Sequence, residues 1–390
     1  MLGLAKLINF RREKQSLSFN FLATSVLGLS FGLGLVFPHS ASAFDFDQKL
    51  LAPDGAASDL FGGSVSLSGN TALVGSPGDD DNGQNSGSAY LFDVITGTLL
   101  QKLTAPDGAG GDQFGYSVSL SGNIALMGSL GDDDNGSASG SAYLFDVTTG
   151  NLLYKLTAPD GAASDQFGWS VSLSGNTALV GSYFDDDNGS NSGSAYLFDV
   201  ITGNFLQKLT APDGAEGDNF GYSVSLSGNT ALVGSRLDDD NGGNSGSAYL
   251  FDVTTGNFLQ KLTAPDGAAS DQFGSAVSLS GHTALVGSFS DNDNGSDSGS
   301  AYLFDVTTGD FLHKLTAPDS AEFDQFGWSV SLSDNTALVG SRSDDDSGTN
   351  SGSAYLFDVT TGNLLQKLTA PDGAEFDSCD VLPPLTAWAV

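Results

Sequence analysis

Cysteine is nearly missing: Cys379 is the single one in 390 residues, so no internal disulfide can staple the chain. Histidine is almost as scarce, with His39, His282 and His313 at unrelated positions, which removes the raw material for a Ser-His-Asp relay or a histidine metal cluster. Lys and Arg together number 13 against 47 Asp and Glu, a net charge of -34 that repels nucleic acid and anionic membrane surfaces. Helical periodicity is absent as well. Only one long apolar run exists, Phe21 to Phe37, and nothing after it is long enough to span a bilayer.

That run follows Lys6, Arg11, Arg12 and Lys14 and precedes Ala41-Ser42-Ala43, the order of a basic region, an apolar region and a small-residue cleavage site. Residues 1–43 are therefore expected to be a signal peptide cut after Ala43. The mature chain is expected outside the cytoplasm (extracellular, on the cell surface or in the periplasm) without a transmembrane anchor.

What the sequence has in abundance is repetition. The heptad KLTAPDG or a close variant starts at Lys49, Lys102, Lys155, Lys208, Lys261, Lys314 and Lys367, always 53 residues apart and never disturbed by an insertion. Each unit holds four short apolar or alternating runs. In the unit that starts at Phe167 they are Trp169 to Ser174, Ala178 to Ser182, Ser194 to Val200 and Phe205 to Thr210. Their length and their Val, Leu, Tyr, Phe and Thr content are those of strands. Gly175-Asn176 and Thr202-Gly203-Asn204 supply tight turns between them. The third run, AYLF, is apolar on both faces, as a strand in a sheet sandwiched between two others must be.

Four-stranded antiparallel units stacked around an axis make an all-β propeller, expected over residues 44–377. Complete units start at Phe61, Phe114, Phe167, Phe220, Phe273 and Phe326, which gives six full blades. Before them, FDFDQKLLAP reads as an orphan fourth strand. It would close a seventh blade whose first three strands come from the C-terminal end. After Asp377 the repeat gives way to SCDVLPPLTAWAV, so residues 378–390 form a non-repeat tail and the seventh blade is expected to be truncated. A six-bladed ring with ragged ends is the alternative.

The residues in hand resemble the FG-GAP repeat family, the propeller type of integrin α-chain heads and of bacterial secreted and surface proteins. Each unit carries Phe-Gly, as at Phe167-Gly168, then SVSLSGN, then ALVGS in place of Gly-Ala-Pro, then GSAYLFD. The resemblance implies a propeller used for adhesion or ligand binding. In calcium-binding members an Asp-rich loop joins the first two strands; here Ser174 to Thr177 make a bare turn, so that site does not carry over. LFDVTTGNLL is also similar to the quinoprotein-type propeller repeat. Gln101, Tyr154, Gln207, Gln260, His313 and Gln366 occupy the place of its blade-docking Trp, so that docking is expected to be lost.

The Asp-rich loop of this chain lies instead between the second and third runs. It contains Asp79, Asp80 and Asp81; Asp132, Asp133 and Asp134; Asp185, Asp186 and Asp187; Asp238, Asp239 and Asp240; Asp291 and Asp293; and Asp344, Asp345 and Asp346. A second acidic loop, PDGAxxDQ, leads into the next unit and carries Asp160 and Asp165 in the third copy. Strand alternation puts both loops on one face, about five carboxylates per blade, while the SGN and TGN turns on the opposite face are expected to be neutral. Hard oxygen donors at this density suit Ca²⁺, making the aspartates of the Asp-rich loop the candidate metal ligands. The twelve-residue EF-type loop does not fit, since with Gly189 in its glycine place Phe184 falls on the first ligand and Ala195 on the last.

No catalytic constellation repeats, and the chain is expected not to be an enzyme. Its expected role is a non-catalytic binding or adhesion module for an extracellular protein or glycan, with a Ca²⁺-bridged matrix component as the alternative and a quinoprotein-like enzyme behind it. The aromatic after Phe-Gly (Tyr116, Trp169, Tyr222, Trp328) has two readings, core packing and a stacking platform for a sugar.

Overall fold

The computed structural model describes residues 49–375. The expected signal peptide, its cleavage site, the C-terminal tail and Cys379 lie outside them. Within them are 24 strands in six four-stranded antiparallel sheets, each in simple sequence order. The fold is an all-β six-bladed propeller of four-stranded antiparallel blades. Among the described residues no helix is long and apolar enough to cross a membrane.

The third blade shows why these residues make these strands. Its strands are β9 (Ser170–Ser174), β10 (Thr177–Ser182), β11 (Ser194–Asp199) and β12 (Phe205–Leu209), within a residue of the runs read from the sequence. Gly175, at φ +56°, turns β9 into β10 with no Cβ to strain. Tyr196, Leu197 and Phe198 of β11 are all buried, because neighbouring blades cover both sides of the sheet.

Packing runs from blade to blade. Leu126, Leu144 and Leu156 of the second blade meet Phe167, Val171, Val180, Tyr196 and Phe198 of the third in one cluster. Phe167 sets its ring edge-on to Tyr196 and Phe198, 5.5 and 5.9 Å between centroids. The Phe-Gly pair is thus a blade-to-blade anchor. Gly128, in the ALMGS strand of the second blade, shows how close the approach is: a Cβ there would lie 1.9 Å from the Gly168 carbonyl oxygen of the next blade.

The innermost strands are β1 (Val65–Ser68), β5 (Val118–Ser121), β9, β13 (Phe220–Ser227), β17 (Ala276–Ser280) and β21 (Phe326–Ser333). An inner edge strand leaves backbone N–H groups without a ladder partner. Serine hydroxyls of the preceding blade accept them. Leu120 N–H donates to Ser66 Oγ, Leu226 N–H to Ser172 Oγ, Leu279 N–H to Ser225 Oγ and Leu332 N–H to Ser278 Oγ, each at 2.9 Å. This explains the Ser-x-Ser-x-Ser alternation, which packing alone does not require.

The inner strands pack in series from β1 to β21, and among the described residues β21 and β1 do not pack as consecutive inner strands do. Four features mark the two ends. Leu50 and Ala52 join Phe61, Val74 and Tyr90, filling the places that Leu103 and Ala105 take between the first and second blades. Ala354, Leu356 and Leu368 form a small separate cluster on the sixth blade. Ser331 Oγ is buried with no hydrogen-bond partner, and the three atoms nearest a Cβ on Gly340 all belong to Ser329 of the same blade, where at Gly128 and Gly181 the nearest is a carbonyl of the following blade. The expected orphan fourth strand is not found in its described part: Lys49 to Pro53 lie outside any strand, although Leu50 is buried.

The docking expected to be lost is kept by other side chains. Tyr154 Oη donates to the Ile201 carbonyl of the next blade at 2.8 Å, and His313 Nε2 lies 3.1 Å from the Thr360 carbonyl. A polar side chain that reaches the next blade's turn replaces the Trp.

Candidate functional site

The two acidic loops do share a face. The loop entering the third blade is held to the Asp-rich loop of the second by Gln166 N–H to the Ala138 carbonyl and Phe167 N–H to the Ser139 carbonyl, at 3.1 and 2.9 Å. The opposite face is not neutral, contrary to expectation. Asp199 closes β11 there, and its Oδ1 accepts Thr202 N–H and Oγ1–H at 2.7 and 2.8 Å. Asp93, Asp146, Asp252, Asp305 and Asp358 repeat the arrangement. These hydrogen bonds hold all six carboxyls below the usual carboxylate range.

On the loop face the three Asp-rich positions have different fates. The first, as at Asp185, is buried: Asp79, Asp132, Asp238, Asp291 and Asp344 likewise expose at most 4 %. The second points outward and caps its own loop. Oδ1 of Asp186 accepts Asn191 N–H at 2.7 Å, and Asp80, Asp133, Asp239 and Asp345 do the same five residues along the chain. Asn292 replaces it in the fifth blade. The third, at Asp81, Asp134, Asp187, Asp240, Asp293 and Asp346, is half exposed and turns inward.

What it turns toward is a lysine. Lys208, on β12, sets Nζ 2.8 Å from Asp160 and 3.1 Å from Asp185, with Asp187 closing the third side. Three ammonium hydrogens meet three carboxylates. Tyr196 completes the lock: its hydroxyl is 3.0 Å from Asp160 and 2.6 Å from Asp185, and its ring lies under the ammonium at 5.1 Å. Lys102, Lys155, Lys261, Lys314 and Lys367 repeat the lock with Asp54, Asp107, Asp213, Asp266 and Asp319. Tyr90, Tyr143, Tyr249, Tyr302 and Tyr355 play the tyrosine part. Since Asp160 lies on the connection from the second blade and Lys208 on the third, each lock ties a connection to the blade it enters.

The electrostatics follow. Burial works against ionisation of Lys208, but the carboxylates around it outweigh that and hold its pKa above the ordinary lysine value. Burial likewise opposes charge on Asp160, and hydrogen bonds from Lys208 and Tyr196 overcome it and keep the carboxyl low. Asp165 has no such partner. It is buried, accepts only Ala162 N–H at 2.7 Å, and is pushed up to about 6 by burial and by Asp185; Asp218, Asp271 and Asp324 behave the same way.

Carboxylate oxygens come together closely enough to hold a metal ion at Asp54, Asp79 and Asp81, and at Asp107, Asp132 and Asp134, within 4.8 Å of one another. The donor chemistry suits a hard divalent cation. Yet the centre of each set is the lysine ammonium, so a metal would have to displace it. The reading of the Asp-rich loop as a free ligand set missed this lysine, the PDG aspartate and the tyrosine. All three belong to the KLTAPDG and AYLF segments, whose Lys, Asp and Tyr recur in every unit, and that recurrence was the available signal.

The same repeat can be compared with known families. The FG-GAP repeat matches six times, over residues 44–92, 98–145, 152–198, 204–251, 257–304 and 311–357. The chain belongs to the FG-GAP repeat family. Each match from the second onward runs from the outer strand of one blade through three strands of the next, so it holds the carboxylates and the tyrosine of one lock while the lysine of that lock, as Lys155 for residues 98–145, lies beyond its end. None of the curated proteins compared with the chain matches its sequence.

Proposed function

We propose that this FG-GAP propeller is an exported, non-catalytic binding module whose loop face is a rigid, metal-independent platform for an extracellular glycan or protein. The lysine lock carries the reading. The carboxylates of the loop face are committed to a lysine, a tyrosine hydroxyl or a backbone N–H, and the one with a raised pKa is turned into its own loop. Glycosidase-type catalysis needs two carboxyls free to reach one substrate, and six near-identical blades offer no such unique pair. Export rests on the basic, apolar and small-residue order of the N-terminal segment. The test is retention of the purified chain on immobilised extracellular polysaccharides and basic proteins. Retention without product release supports the module; release of cleaved product, or no retention on any surface, contradicts it.

A calcium-bridged matrix role is favoured by one observation, the two carboxylate triads within 4.8 Å. It requires Ca²⁺ to displace Lys102 and Lys155, and calcium-dependent self-association of the chain would reveal it.

The ring itself reads as having seven positions. Lys49 pairs with Asp372 at 2.5 Å. Elsewhere the lysine follows its PDG aspartate by 48 residues, so Lys49 stands where the lysine of a unit after Asp372 would stand. The unpartnered Ser331 and the separate cluster on the sixth blade support the same vacancy. Attaching one further unit tests it, as set out in the Discussion.

A further inference from the structure

The repeats are nearly uniform in SVSLS and ALVGS, but two flanking positions change from blade to blade: the residue after Phe-Gly and the residue after ALVGS. One opens the inner strand and the other ends its neighbour, so both sit at the axial side of the loop face. There the side chains gather. Trp169 lies 4.9 Å from Tyr116, 4.4 Å from Tyr183 and 5.4 Å from Tyr222, ring to ring, across three blades. Arg236 stacks its guanidinium 4.0 Å from the Tyr222 ring, and Arg342 lies 4.5 Å from the Trp328 ring. These are the only arginines among the described residues of a strongly acidic chain.

Core packing accounts for the ring contacts but not for the polar atoms. Trp169 Nε1 and Arg236 Nε are buried without a hydrogen-bond partner. Both can only donate, and buried donors left unpaired are costly. The hub presents half-buried Trp169 and Arg236 beside buried tyrosines, an apolar ring next to a positive charge, encircled by a rim of outward aspartates such as Asp186 and Asp239. A ligand with one localised negative charge and an apolar ring face satisfies both. A polyanion laid across the face would meet the rim and be repelled.

We propose that this axial hub is a carbohydrate subsite for the carboxylate-bearing terminal sugar of an oligosaccharide, with the sugar face on Trp169 and the carboxylate on Arg236. The proposal rests on the binding-module reading and names its ligand class. The flanking neutral sugars leave the axis without approaching the acidic rim. Arg342 supplies a second positive charge on the same side.

Titration of the full chain, followed by tryptophan fluorescence and calorimetry, tests it with oligosaccharides ending in glucuronate, galacturonate or sialate and with their neutral counterparts. At least one acidic probe should bind about tenfold or more tighter than its neutral partner, the worth of one charge-assisted hydrogen bond. Arg236→Gln should abolish that preference with the unfolding temperature unchanged, and Arg342→Gln should weaken it. Equal affinity for acidic and neutral probes, an unaltered preference in both variants, or no saturable binding up to about 10 mM would overturn the subsite. If the chain is still retained on polysaccharide or protein surfaces while these probes fail, the subsite is wrong and the binding module stands. If retention fails too, both fall.

Discussion

The Lys208 ammonium sits 3.1 Å from the buried carboxylate of Asp185, a pair 23 residues apart joined only by the propeller fold. This contact makes the lysine the resident cation of the Asp-rich loop. A buried carboxylate stripped of its counter-charge is among the more damaging changes a fold can suffer.

Lys208→Met should therefore cost about 3 kcal/mol, the typical penalty for breaking a buried ion pair by removing one partner. Chemical denaturation read against wild type checks the cost. Asp186→Asn, at the outward position that caps the loop, should cost well under about 1 kcal/mol, because an amide oxygen can still accept Asn191 N–H, as Asn292 does for its own loop.

Stability should peak at mildly acidic pH. At Asp165, Asp218, Asp271 and Asp324 the folded pKa, about 6, lies above the unfolded value, so the folded state holds more protons and stability falls as pH rises from about 4 to 6. At Asp160 and its counterparts the folded pKa is depressed, so their contribution is present above about pH 4 and is lost as pH falls further. Thermal unfolding across pH should show its maximum near about pH 4, where neither loss has set in. A steady rise up to neutrality would contradict the assignment.

The serine ladder makes a paired prediction. Ser172→Ala leaves the Leu226 N–H without its acceptor and should cost about 1–3 kcal/mol. Ser331→Ala should cost close to nothing, since that hydroxyl has no partner. Equal losses would refute the ladder.

A copy of residues 325–358 joined after Asp377 should raise the unfolding temperature and make Ser331→Ala costly, because the new inner strand would donate to that hydroxyl. If the added unit leaves stability unchanged, the seven-position reading fails.

Strand limits were legible because each is bounded by a turn such as Gly175-Asn176 and because the AYLF run cannot expose either side. The blade count followed from the unbroken period. The lock was not legible, since Lys208 meets Asp160 across 48 residues, and nothing local marks the two as partners. Ser172 and Leu226, 54 residues apart, escaped for the same reason. The Asp-rich loop was read by composition, which counts carboxylates but does not show that one is buried, one caps the loop and one faces a lysine.

The most direct test of the resident lysine is thermal unfolding of the wild-type chain and of Lys208→Met in Ca²⁺, in Mg²⁺ and in chelator at fixed ionic strength. The wild type should unfold at the same temperature in all three, with a Ca²⁺-specific rise appearing only where Lys208 is gone and its triad is free to take a metal. A Ca²⁺-specific rise of several degrees in the wild type would mean that metal, not lysine, holds the loop face together.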